Sequence, residues 1–504
     1  MQDATTALKI YQTYINGQWT DSESGKRMAT FDPYTGEPWA EIPQCEAADV
    51  DKAVRAAQQA FEDGPWARMT QTARGRVLRR IGDLIAKNAD HLAEIEVRDN
   101  GKLISEMNAQ TNYMPEWYYY YGGLADKVQG AVVPVDKPDH FTYILREPVG
   151  VCGFIIPWNS PLLLLSWKLA PALAAGCTCV IKPSEFTSAS ALEFMKSVIE
   201  EADLPPGVVN VVTGTGQEAG EPLVTHPNVA KIAFTGGSLT GSRVASLASA
   251  QFKKVSLELG GKSPNIVFDD CIVDDAVSGA ISGIFAATGQ TCIAGSRLLV
   301  QESLHDEFVE KLTAMAKTAK LGNPMSFETQ VGPVTTPPQY DKILSYIDIA
   351  KNEGADCILG GGPAGEDIGG GKYFVQPTVF TGVENNMRIA QEEVFGPVLS
   401  VIKFKDEDDA ARIANDIMYG LGSGVWTQNL RRATTMASRI RAGTVWVNTY
   451  RAVSFTMPFG GYKSSGLGRE NGASAIEEYL QTKSVWVNNG PGGGNPFVMK
   501  TGSE

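Results

Sequence analysis

Gly150-Val-Cys-Gly-Phe-Ile-Ile-Pro-Trp-Asn159 decides the fold of this chain. Its apolar residues run without polar alternation, the pattern of a strand covered on both faces. Working outward, four more short β-branched runs follow, at Thr178–Lys182, Val208–Val212, Lys231–Phe234 and Lys254–Leu257. Helical periodicity fills the intervals, over Leu162–Ala175, Ser188–Asp203, Glu218–His226 and Leu239–Ala250. Strands joined through helices of this length cross over right-handedly, so the expected product is a parallel α/β sheet.

What stands after each strand sharpens the reading. The first delivers Pro157-Trp158-Asn159, and the second passes from Lys182 through Pro183 and Ser184 to Glu185. The third reaches Gly214-Thr-Gly216, the fourth Gly236-Gly237-Ser238 and the fifth Glu258. Ligands of open parallel sheets lie beyond the carboxyl ends of the strands, so one site can gather all five segments.

After Gly261 a second α/β pattern begins, with strands expected near Asn265–Phe268, Arg297–Gln301, Val398–Phe404 and Thr444–Val447. Helices are expected over Asp274–Ala287, Ser303–Lys320, Gln339–Asn352, Asp408–Asp416 and Leu430–Arg441. The fold class is therefore α/β, with two Rossmann-like parallel-sheet domains. Residues 128–148 and 483–488 read as extended segments outside either core, suited to pairing between subunits. Gly360-Gly-Gly362 and Gly369-Gly-Gly371 mark loops, and the tail from Gly490 reads as mobile.

Composition narrows the function. The 504 residues carry 44 basic and 57 acidic side chains, a formal net charge of −13, which argues against nucleic acid as a partner. Seven scattered cysteines lack zinc-knuckle spacing and read as reduced thiols in a cytoplasmic protein, with no metal site expected. The first residues, Met1-Gln-Asp-Ala-Thr-Thr-Ala, show no export signal, and Lys168 and Pro171 interrupt the most apolar stretch, so no membrane association is expected.

Only four histidines occur, none in a motif-like setting, which leaves cysteine and glutamate as the candidates for chemistry. Gly289-Gln-Thr-Cys292 follows an apolar helix. Such a turn either exposes a thiol nucleophile with backbone N–H groups aimed at an oxyanion, or merely fills space. Glu258, before two glycines, is either a general base or the cap of the next segment. Gly236-Gly-Ser-Leu-Thr-Gly241 opens a helix and suits a pyrophosphate without matching the usual dinucleotide fingerprint. Lys182 is a surface charge or, with Glu185, a ribose ligand whose carboxylate repels a 2′-phosphate.

Together these segments resemble the NAD-dependent, hydrolytic branch of the aldehyde dehydrogenase superfamily, from Tyr14-Ile-Asn-Gly-Gln-Trp19 to Tyr479-Leu-Gln-Thr-Lys-Ser-Val485. Three motifs carry most of the likeness: Leu257-Glu-Leu-Gly-Gly-Lys-Ser-Pro264, Gly289-Gln-Thr-Cys292 and Glu392-Glu-Val-Phe-Gly-Pro397. The resemblance implies Cys292 as nucleophile, Glu258 as general base, Asn159 as oxyanion donor and Glu470 as a proton-relay carboxylate. For NAD it implies Lys182, Ser184 and Glu185 at the adenosine ribose, Glu393 at the nicotinamide ribose and Phe395 beside the nicotinamide. Ile155, Ile156, Pro157, Trp158, Gly214, Gly216, Phe234, Thr235, Gly236, Gly237, Ser238, Gly241, Leu259 and Gly260 complete the cofactor contacts. One departure is Gly237 where many members have serine, with Ser238 displaced by one.

The substrate tunnel it implies holds Leu163, Leu164, Trp167, Ala286, Arg451, Val453 and Phe459. Ser160, Ala286 and Val453 stand where several members carry aromatics, which points to a wide tunnel and a medium-sized aliphatic or terpenoid aldehyde. Arg451 either faces the tunnel and pairs with a substrate carboxylate, which would make the substrate a semialdehyde, or forms a structural ion pair near the subunit boundary. A non-catalytic structural relative and a coenzyme A-acylating enzyme are further alternatives, and the retained Cys292 and Glu258 speak against them. The resemblance also implies an NAD-binding domain of residues 1–127 and 149–260 and a catalytic domain of 261–476. Segments 128–148 and 477–504 would form a small β oligomerisation unit for a homo-dimer or homo-tetramer.

Overall fold

The computed structural model describes residues 8–365, 368, 371–491, 495 and 497, so Gly369 and Gly370 of the expected loop, the first seven residues and most of the glycine-rich tail lie outside the described residues. The strand Val151–Ile156 lies inside an eight-stranded sheet, paired in parallel with Thr178–Pro183 on one side and Val229–Thr235 on the other. Lys254–Glu258 and Val209–Val211 extend the parallel core outward. Antiparallel strands finish both edges: Gly466–Leu467 at one, Thr13–Ile15 and Gln18–Thr20 at the other. Strand order reverses between 151–156 and 229–235, which opens a crevice at their carboxyl ends.

Each crossover is made as the sequence dictates. Pro161 occupies the first turn of the helix Pro161–Ala175, where its missing N–H costs nothing, and left-handed Gly176 (φ 100°) ends it. The helix is buried almost throughout, because it lies between the sheet and the 30-residue helix Gln71–Asn100 with its neighbour Pro115–Leu124. Two expected helices change pitch. Ala189–Phe194 continues as a wider π-type turn over Met195–Ile199, and another such turn at Gly216–Gly220 precedes Glu221–Thr225.

The second sheet has seven strands, in the order 356–359, 378–381, 398–404, 297–301, 264–267, 422–426, 444–447, all parallel except the first. Three of these were not legible. The Gly422–Trp426 strand hides behind its glycines, which are required by close approach: a Cβ on Gly424 would stand 2.3 Å from the Asn265 Oδ1. The helix expected to reach Ala287 stops at Phe285, because the next residues turn to build the site.

The two segments expected outside either core pair with each other within the chain. Leu480–Asn488 runs antiparallel to His140–Pro148 over its full length, with Ala131–Val132 on the far edge. Leu480–Asn488 is an edge strand of this small sheet, so one side of its backbone stays open. The resulting ribbon exposes Val132, Phe141, Leu145, Trp486 and Val487.

Candidate active site

Five strand ends and one turn converge between the sheets. Thr235 and Glu258 are register partners at the ends of adjacent parallel strands, so their positions follow from the ladder itself. Asn159 leaves the 151–156 strand just before the helix Pro161–Ala175, buried, its Nδ2 donating to the Gln290 carbonyl at 3.1 Å. Cys292, half-buried, arrives from the opposite sheet through Ala286–Gly289.

That turn is strained. Ala287 (φ 55°), Thr288 (φ 53°) and Gly289 (φ 68°) are consecutive left-handed residues, a conformation non-glycine residues hold only under external restraint. The restraints are visible. The Glu106 carboxylate accepts from the Ala287 N–H at 2.7 Å, Thr288 Oγ1 donates to the Gly332 carbonyl at 3.1 Å, and Gln290 Oε1 accepts from the Thr335 N–H at 2.9 Å. A Cβ on Gly289 would stand 2.0 Å from the Gly396 carbonyl oxygen, so only glycine fits.

Pro157, Trp158, Asn159 and Leu164 line a cavity of about 150 Å³ with Thr235, Gly236 and Gly237. Glu258, Leu259, Gly260, Cys292, Glu393 and Phe395 close it from the other side. The Trp158 and Phe395 rings meet edge to face at 5.2 Å. Glu393 is fixed by the Gly261 N–H, which donates to its Oε1 at 3.0 Å. Along the same strands, Ile155, Lys182, Glu185, Gly216 and Phe234 line a larger cavity of about 620 Å³ with Thr240, Val224, Val244 and Leu247.

Other expected cofactor contacts also have structural roles. Ile156 is buried in its strand, and the Ser184 carbonyl accepts from Ser188 Oγ at 2.8 Å. Gly214 packs against the Cys45 carbonyl, Gly237 caps the helix opened by Ser238, and Gly241 lets that helix approach Leu259.

The charges are unusual. Both oxygens of Glu258 are buried without a hydrogen-bond partner. Burial, then the nearby Glu470, push its carboxyl well above the usual range against the pull of Lys168 and Arg469. Burial, then Glu258 and Glu393, push the Cys292 thiol up to about 12. At rest, therefore, the thiol holds its proton at neutral pH, and the raised carboxyl is a stronger base than an ordinary glutamate. Glu470 pairs with fully buried Lys168 at 2.5 Å, and Lys168 also donates to Thr235 Oγ1 at 2.6 Å. Sequence reading met Lys168 only as an interruption, although a cation inside the most apolar helix is itself a signal.

Of the expected substrate contacts, Leu163 is partly buried beside Leu164, and Trp167 stacks on Trp117 at 6.1 Å and meets Phe459 at 5.0 Å. Phe455, missed in the sequence, joins Trp117 and Tyr120. Val453 and Phe459 line a separate cavity of about 380 Å³, and Ala286 begins the cysteine turn. Arg451 (φ 64°) donates from Nη1 to the Ser282 carbonyl at 3.1 Å. Among the described residues no cluster of three or more His, Cys, Asp or Glu could hold a metal, and no helix is long and apolar enough to cross a membrane.

A thiol, an amide donor and a buried carboxylate thus meet in one cavity between the two sheets. The chain matches the aldehyde dehydrogenase family over residues 19–485, and it belongs to that family. It is 47% identical to (Z)-2-((N-methylformamido)methylene)-5-hydroxybutyrolactone dehydrogenase of Acinetobacter baylyi, covering 98% of this chain and 100% of the relative. Human aldehyde dehydrogenase 1A1 is also 47% identical, with 96% of each chain covered. Betaine aldehyde dehydrogenase of Staphylococcus aureus, solved with NAD+, superposes with a TM-score of 0.94 at 40% identity over 95% of each chain.

Proposed function

We propose that this chain oxidises an aldehyde to its carboxylic acid with NAD, using Cys292 as nucleophile. The observation that carries the reading is the single cavity in which Cys292, Glu258, Asn159 and Glu393 meet from two sheets. The residues fit a dinucleotide. Lys182 and Glu185, 3.2 Å apart, suit ribose hydroxyls, Val224, Val244 and Leu247 offer an apolar wall for a base, and Glu393 stands ready for the second ribose.

Glu258 takes the Cys292 proton, and the thiolate adds to the aldehyde carbon. Asn159 Nδ2 and the Cys292 N–H stabilise the oxyanion, a contribution of ~10²–10³ in rate for each donor. NAD, when bound, supplies the hydride acceptor that converts the adduct to a thioester. Once it has released that first proton, Glu258 draws a proton from water, whose oxygen attacks the thioester carbon and expels the Cys292 sulfur as acid forms. Glu470 and Lys168, beside Glu258, carry the proton onward.

The proposed substrate is a medium-sized apolar aliphatic or terpenoid aldehyde. The Trp117, Trp167, Phe455 and Phe459 rings and small Ala286 support it, as does the engagement of Arg451 with a backbone carbonyl. The sheets are read as an NAD-binding domain of residues 1–127 and 149–260 and a catalytic domain of 261–476. The exposed apolar side chains on the paired strands 131–132, 140–148 and 480–488 support a homo-oligomer built through segments 128–148 and 477–504, and seven free thiols accord with a cytoplasmic setting. Kinetics over linear, terpenoid and carboxylated aldehydes with NAD test this, alongside Cys292→Ala. The variant is expected to form no NADH; retained turnover, or a preference for carboxylated substrates, overturns the corresponding part.

A further inference from the structure

The segment from Glu96 to Glu106 touches both halves of the oxyanion site, although no part of it lines the cavity. On the Asn159 side, Ser160 is the residue preceding the helix Pro161–Ala175, yet its hydroxyl does not cap the helix. Glu96 does so instead, its Oε1 accepting from the Leu162 N–H at 3.0 Å. The Ser160 hydroxyl accepts from Lys102 Nζ at 2.7 Å, and both residues are buried. On the Cys292 side, Glu106 holds Ala287, and the Asn100 carbonyl accepts from Thr335 Oγ1 at 2.5 Å, whose backbone N–H in turn holds Gln290.

A lysine this deeply buried is costly, and burial draws its ammonium down to about 8, with Glu106 and Glu96 opposing the fall and Arg451 adding to it. A helix N-terminus ordinarily takes a neutral or acidic cap, so a cation beside Ser160 gains nothing from the helix dipole. Its position is better accounted for by Asn159, one residue away.

We infer that Lys102 is a positioning residue for the oxyanion site, holding Ser160 so that the Asn159 amide faces Cys292. The inference rests on the proposed role of Cys292. Lys102 touches no reacting atom. It acts through the backbone of Asn159-Ser160, and its ammonium adds a favourable field where negative charge develops.

The test uses the acylation of Cys292 by 4-nitrophenyl acetate without NAD. The thiolate attacks the ester carbonyl, 4-nitrophenolate leaves, and an acetyl thioester remains for water to cleave. Burst amplitude counts correctly folded sites, and the burst rate constant reports oxyanion stabilisation per site. Lys102→Met is expected to slow the burst rate on the order of 10²-fold, at normal amplitude per folded chain, since misplacing a reacting group by about 1 Å can cost that much. NAD affinity, read by tryptophan fluorescence, should stay as in the wild type, and Lys102→Arg should recover at least tenfold of the loss.

A wild-type burst rate in Lys102→Met overturns the inference, as does a reduced amplitude with an unchanged rate, which marks a purely structural role. Should Lys102→Met fail to fold, Ser160→Ala removes the acceptor alone. A slowed burst there supports the inference, and an unchanged one overturns it. A wild-type protein that shows no burst, or whose burst survives Cys292→Ala, sinks the proposed function itself rather than the role of Lys102.

Discussion

On one side of the cleft, Thr235 and Glu258 leave adjacent strands in register, each fixed by hydrogen bonds that run the length of the parallel ladder. On the other, Cys292 leaves a turn of three left-handed residues held by Glu106, Gly332 and Thr335, groups far away in the chain. The ladder side is positioned by local regularity, the turn side by contacts that form only when the whole fold is complete. Geometry on the turn side should therefore be the easier to break, and substitutions on the ladder side should change chemistry while sparing structure.

The largest effect is expected at Gly289. Its positive φ and the Gly396 carbonyl 2.0 Å from any Cβ leave Gly289→Ala no unstrained conformation. Turnover should fall by about 10²-fold or more as Cys292 is displaced, with a lower melting temperature. The matched control is Gly237→Ala on the ladder side, where nothing lies within 4 Å of an added Cβ. Equal damage at both positions would abolish the contrast.

Glu258→Gln separates chemistry from structure. Loss of the proposed general base should lower steady-state turnover by ~10²–10⁴. Stability should move the other way. Because burial and Glu470 raise the folded-state pKa, the folded chain holds a proton that the unfolded chain has released above the ordinary carboxylate value of 4.5. The stability this group contributes is complete below that value and is lost as pH rises through the raised one. Glutamine carries no such penalty, so Glu258→Gln should melt above the wild type at pH 8 and lose that margin by pH 4. Calorimetry at both pH values decides it, and a variant less stable at pH 8 would mean that Glu258 has a partner in the fold.

The same contrast governs what the sequence disclosed. The five strands behind the first site were legible because continuous apolar runs and the glycines, prolines and acids after them are local signals; Val151–Ile156 and Arg297–Gln301 have the boundaries their composition implies. The strand 422–426 was not legible, since its glycines answer to Asn265, Tyr450 and Trp446, residues its own stretch does not contain. Cys292 and Glu258 stood out by motif. The supports of the cysteine turn did not, because Glu106, Thr335 and Gly396 matter only for where they fall in space. Lys102 and Lys168 were visible as letters but carried no period or spacing; only burial marks them.

The smallest effect tests the ladder side at the far end of the cofactor crevice. Lys182, buried near the end of the second strand, and Glu185, about one-third exposed just beyond it, stand 3.2 Å apart. In the wild type the carboxylate engages Lys182 and, on the proposed reading, would repel a phosphate on the neighbouring ribose hydroxyl. Glu185→Gln removes the repulsion and releases Lys182 to pair with that phosphate, while the amide still bonds a free hydroxyl. The ratio of kcat/KM for NAD over NADP should fall by about tenfold, a difference of ~1.4 kcal/mol, mostly through KM for NADP. Because Glu185 is partly exposed, salt should weaken the wild-type discrimination over the same range that screens surface charge. An unchanged ratio, or a loss of NAD turnover without a gain for NADP, would place the selectivity elsewhere, in the shape of the 620 Å³ cavity rather than in the charge at its edge.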